Sequence, residues 1–69
     1  MTEHVYKTIE LTGSSTSSSD DAVRRAIAKA AKSMHGMRWF EIVECRGHIA
    51  GDKVEHWQVT LKVGFTLDD

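Results

Sequence analysis

The sequence predicts an α+β fold of β-α-β-β order, with a three-stranded antiparallel sheet and one helix. Three observations carry this. Residues 4–12, 38–48 and 54–67 alternate apolar and polar side chains with the period of a strand. Residues 19–34 instead repeat apolar positions at spacings of three and four, the period of a helix. The segment Ala50-Gly51-Asp52-Lys53 joins the last two strand stretches and suits a two-residue hairpin turn.

In the first strand, Val5, Lys7, Ile9 and Leu11 share one face, and His4, Tyr6, Thr8, Glu10 and Thr12 share the other; Gly13 is expected to end it. The serine-rich stretch 13–19 reads as a loop leading into the helix. Ser18 with Asp21 three residues later resembles a capping box, and Asp20 and Asp21 place negative charge at the positive end of the helix dipole. Val23, Ile27, Ala30 and Met34 form the apolar stripe, widened by Ala22, Ala26 and Ala31. Arg24, Arg25, Lys29 and Lys32 read as a solvated face, and Gly36 suits the left-handed residue that closes the helix. In the last strand Trp57, Val59, Leu61, Val63, Phe65 and Leu67 make one face, which meets the helix. Being the longest and most apolar strand, it belongs in the centre of the sheet.

At 69 residues the chain is a single domain, residues 1–69. Nine Lys/Arg against ten Asp/Glu give a net charge of -1, without the basic excess expected of a small nucleic-acid binder. No apolar run is long enough to span a membrane, and the opening Thr2-Glu3-His4 lacks a secretory signal, so a cytoplasmic location is expected. The single cysteine, Cys45, cannot form an internal disulfide and reads as a small hydrophobe in mid-strand. His4, His35, His48 and His56 have no acidic or sulfur partner at metal-ligand spacing, although His4 and His56 can face the same way; no metal site is expected. No phosphate loop, paired-carboxylate site or nucleophile motif is present, so no enzymatic activity is expected. Chains this small and without disulfide or metal commonly gain stability by oligomerisation.

One helix covers one sheet face. Strict alternation puts Phe40 and Ile42 towards the helix and Trp39, Val43 and Cys45 on the bare face, where they predict a subunit interface. The alternative is that Trp39 merely caps the end of the core. A two-residue turn at Gly51-Asp52 predicts pairing of Cys45 with Gln58 and of Trp39 with Gly64. Trp39 and Gln58 are then six strand positions, about 20 Å, apart. A ligand touching both must lie between subunits.

The stretches Trp39-Phe40-Glu41-Ile42-Val43-Glu44-Cys45-Arg46-Gly47-His48 and His56-Trp57-Gln58-Val59-Thr60-Leu61-Lys62-Val63-Gly64-Phe65 resemble those of the dodecins, as do Val5-Tyr6-Lys7 and Leu11-Thr12-Gly13-Ser14-Ser15. The resemblance implies a sheet wrapped around the helix and a hollow homododecamer of tetrahedral symmetry. It implies a flavin store that holds FMN, riboflavin or FAD in pairs between subunits and suppresses flavin photochemistry without turnover. Trp39 matches the tryptophan that stacks on the flavin ring, Gln58 the glutamine that hydrogen-bonds the ring edge, and Arg46 a basic residue near the FMN phosphate. Coenzyme A carriage on the same shell, seen in some bacterial members, and a purely structural oligomer are the alternatives. Thr66 follows Gly64-Phe65 where bacterial relatives often carry arginine, and the tail Asp68-Asp69 is acidic. Both weaken the expected preference for FMN over riboflavin.

Overall fold

The computed structural model describes residues 4–67. The elements run β1 (Tyr6–Ser15), α1 (Ser19–Ala30), β2 (Met37–Ala50) and β3 (Lys53–Thr66). The strands form one sheet in the order β1-β3-β2, and both pairings are antiparallel, so the β-α-β-β order and the central last strand hold as predicted. Val59, Leu61 and Val63 of β3 are buried with Ala22 of α1, and Ile9, Leu11, Val23, Ala26, Ile27, Met37 and Phe65 pack around them.

β1 runs to Ser15, past the expected stop at Gly13, because Gly13 has a packing role. It pairs with Val59, and a Cβ there would collide with the Ala22 carbonyl and come within 2.9 Å of the Ala26 methyl. Glycine thus lets α1 lie directly on β1.

The loop that follows is locked by hydroxyls. Buried Ser15 Oγ accepts from Ser17 N at 2.9 Å and donates to Asp21 Oδ2 at 2.5 Å. Ser18 caps α1 by accepting from Asp21 N at 3.0 Å. Only half of the expected capping box forms, since the short Asp21 side chain turns to Ser15 and to Arg25 Nε at 2.6 Å rather than back to the Ser18 amide. The Arg25 guanidinium, and after it the Ser15 hydroxyl, hold the Asp21 carboxyl below its ordinary pKa, and the Arg25 pKa is raised in return.

α1 ends at Ala30 with Ala31 as its cap, short of the expected residue 34. The next turn tightens, with Lys32 N donating to Lys29 O and Ser33 N to Ala30 O. Gly36 does take a left-handed φ of 86°, but it redirects the chain into β2 rather than closing the helix.

The β2–β3 hairpin closes at Gly51-Asp52 with Gly51 at φ 67°, as expected. Its register is not the plain one. Glu55 is an extra residue on β3, between the pairs Ile49–Val54 and His48–His56, and Val43 is an extra residue on β2, between Ile42–Leu61 and Glu44–Thr60. A third irregularity falls at Arg38. The bulges correct two expectations. Gln58 pairs with Arg46, and Cys45 pairs with core residue Val59 and lines an opening on the helix side with Val23 and Ile42. Cys45 therefore does not share the bare face with Trp39. Trp39 does pair with Gly64, as expected. Trp57 is half-buried and lies outside the core cluster, so it is a lesser core residue than strict alternation implied. Leu67 leaves β3 half exposed.

α1 packs on β1 and β3 and leaves β2 projecting. Thirteen of the fourteen β2 residues are exposed, including Phe40, Ile42, Val43 and Ile49. The radius of gyration is 14.4 Å, against about 11 Å for a compact chain of this length. An open groove of about 650 Å³ runs between α1 and β2, lined by Val23, Ile27, Phe40 and Ile42 among others. No helix among the described residues is long and apolar enough to cross a membrane.

Candidate functional site

The sheet face turned away from α1 carries its chemistry in rungs, one residue from each strand. Trp39 lies across Gly64: a Cβ at position 64 would fall inside the indole, so only glycine gives the ring this seat. Tyr6 meets the indole edge-on, with centroids 5.8 Å apart and planes at 72°. Trp39 nevertheless stays 38% exposed. Seated on backbone and braced by a tyrosine, the indole is held at the sheet surface, where a flat partner can stack on it.

The Arg46–Gln58 rung lies farther along. Arg46 Nη1 donates to Gln58 Oε1 at 2.7 Å, and its Nη2 pairs with the Glu44 carboxylate. This engages the carbonyl of the Gln58 amide and leaves its NH₂ as a donor. Thr12 and Thr60 share a hydroxyl contact of 3.0 Å on the next rung. Beyond Gln58 the imidazoles of His48 and His56 stack with centroids 4.3 Å apart.

Two of the three expected site residues are thus brought together and the third is held apart. Arg46 and Gln58 touch; Trp39 stands opposite Gly64, six positions from Gln58 along β3, or about 20 Å. The histidine expectation changes as well. His4 sits near Tyr6, at the other end of the sheet from His56. The His48–His56 pair was hidden by the Glu55 bulge, without which strict pairing from the turn sets His48 against Glu55. Among the described residues no group of three or more His, Cys, Asp or Glu is placed to hold a metal ion. Thr66 pairs with Tyr6 at the β1 edge, and Asp68-Asp69 lie outside the described residues.

Comparison with known proteins agrees with this fold. Residues 5–68 match the Dodecin family. The dodecin of Thermus thermophilus is 42% identical over 65 residues, which cover 94% of each chain. Among solved structures, dodecin from Streptomyces davaonensis superposes with a TM-score of 0.87 at 41% identity, covering 99% of this chain and 100% of that one. Dodecin from Streptomyces coelicolor gives 0.88 at 40% identity, with 100% and 99% covered. On fold, length and sequence together, the chain belongs to the dodecin family.

Proposed function

We propose that the protein is a flavin store: it binds FMN or riboflavin between subunits of a closed homododecamer, in the cytoplasm, and does not transform it. The observation that carries this reading is the Trp39 indole, fixed across Gly64 with its outer surface exposed. An electron-poor flat ring gains contact and quenching from an indole held in this way. The donor set fits a flavin. The Gln58 NH₂ suits a carbonyl at the ring edge, and the Arg46 guanidinium suits a phosphate, although Glu44 already offsets part of its charge. Bound flavin would supply a redox-active, light-absorbing ring; the chain's part is to stack on it, orient its edge and keep it dark.

The separation of about 20 Å along β3 supports sharing between subunits, because one chain cannot place Trp39 and Gln58 on the same ring. The exposed apolar residues of β2 and the groove beside α1 support assembly, since a lone chain would leave them in water. The test is direct. Purified protein is denatured and the released chromophore identified by chromatography and absorption spectrum. FMN or riboflavin in near-stoichiometric amount is expected. Coenzyme A or another nucleotide, or colourless protein that does not quench added flavin, would reject the reading.

A further inference from the structure

The geometry points to a transition-metal site at His48 and His56, formed by two imidazoles of neighbouring strands and independent of flavin binding. The two residues are direct partners in the β2–β3 ladder, and their rings stack with centroids 4.3 Å apart and planes 21° from parallel. Directly opposed residues bring two side chains close enough to share one ion. Cis ligands at a copper or zinc centre, each about 2.0 Å from the metal, need their nitrogens only about 3 Å apart. Parallel rings do not aim both lone pairs at one point, so one ring must turn. His48 is exposed and free to do so.

A second observation concerns charge. The Glu55 carboxylate lies 3.7 Å from His56 Nδ1. At that distance the carboxylate is a neighbouring negative charge and not a hydrogen-bond acceptor; it attracts a cation bound at the imidazoles. Glu55 reaches this position as the extra residue of the bulge. One irregularity thus both sets the two histidines opposite each other and brings the carboxylate beside one of them. Two nitrogens with the remaining positions left to water select borderline ions such as Cu(II), Ni(II) and Zn(II) over Mg(II) or Ca(II), which prefer oxygen.

Copper(II) is the probe. The protein carries His4→Gln, His35→Gln and Cys45→Ala, which remove the other imidazoles and the thiol, and its assembly is checked against the parent by light scattering. Expected are one copper per chain at micromolar concentration and an electron paramagnetic resonance spectrum split by two equivalent nitrogens. Adding His48→Gln or His56→Gln should cut affinity at least tenfold and leave one nitrogen. Glu55→Gln should weaken binding less and keep two. A single nitrogen in the background protein, or His48→Gln and His56→Gln variants that bind as it does, overturns the site. If the background fails to assemble, nickel(II) uptake by equilibrium dialysis is compared between the parent and its His48→Gln and His56→Gln variants. Equal uptake overturns the site in the same way.

Discussion

Arg46 and Gln58 face each other across the β2–β3 ladder, and the guanidinium donates to the Gln58 carbonyl at 2.7 Å. Glu44 takes the other end of the guanidinium. Gln58 therefore presents its NH₂ in a fixed direction rather than as a free amide. Gln58→Ala should weaken flavin binding up to about tenfold, since a net hydrogen bond is worth about 0.5–1.5 kcal/mol. Assembly should be unaffected. Fluorescence titration reads the first and light scattering the second, and an unchanged affinity removes Gln58 from the site.

Trp39→Ala should cost far more. Truncating a central aromatic contact commonly costs about 2 kcal/mol, or about thirtyfold in affinity, and flavin quenching should vanish with it. Gly64→Ala tests the seat rather than the ring, because its methyl displaces the indole while leaving tryptophan in place. Loss of quenching in that variant, with its oligomer intact, is the expected result. Trp39→Ala protein that assembles and still quenches flavin as the parent does would defeat the site.

Assembly itself is measurable. Light scattering at micromolar concentration should give the mass of twelve chains. A monomer or dimer mass would contradict it. Ile42→Glu, which puts charge in the groove beside α1, should shift the protein to smaller species.

Core substitutions should act on stability before binding. Leu61, fully buried, should lose about 2–5 kcal/mol on truncation to alanine. Gly13→Ala should cost about 1–3 kcal/mol by overpacking, since its methyl meets the Ala22 carbonyl, a backbone atom that cannot swing aside. Denaturant midpoints check both, and a neutral Gly13→Ala would mean that the helix can lift from β1.

Acid should loosen the start of α1. The folded Asp21 pKa is depressed, first by Arg25 and then by the Ser15 hydroxyl. Its contribution is therefore fully present above the ordinary carboxylate value and is lost as pH falls through the lower folded value. Asp21→Asn should be less stable than the parent at neutral pH and converge with it in acid. Parallel denaturation curves at every pH would exclude this linkage.

The element order, the central strand and the Gly51-Asp52 turn are legible in the sequence, because apolar period and turn chemistry are local signals; the Trp39–Gly64 pairing comes out of the plain count only because the Val43 bulge cancels the one at Glu55. The Arg46–Gln58 contact is not legible there. Counting back from the turn sets Gln58 against Cys45, and only the extra residue at Glu55 shifts the ladder by one. No residue type announces that bulge. Gly13 misleads for a related reason: a glycine in a strand reads as a stop until the helix pressing on it is known. The length of α1 is misread because the bonding tightens to i→i−3 at Lys32 and Ser33 while Ala31 and Met34 continue the apolar period.

The bulges at Glu55 and Val43 act as compensating frameshifts. Each moves the pairing by one residue, and because they lie on opposite strands the second undoes the first. Between them, and nowhere else in the hairpin, stand Arg46, Gln58 and the histidine pair. Deleting Glu55 would heal its bulge and carry the plain count from the turn straight to the Arg46–Gln58 pair, whereas a Glu55 drawn into the ladder would set Gln58 against Cys45. The length change this hairpin can absorb is thus the loss of a bulge residue, whereas a residue added within the ladder shifts the pairing beyond it. Two chains of equal length and similar composition can then present opposite chemistry on the same surface.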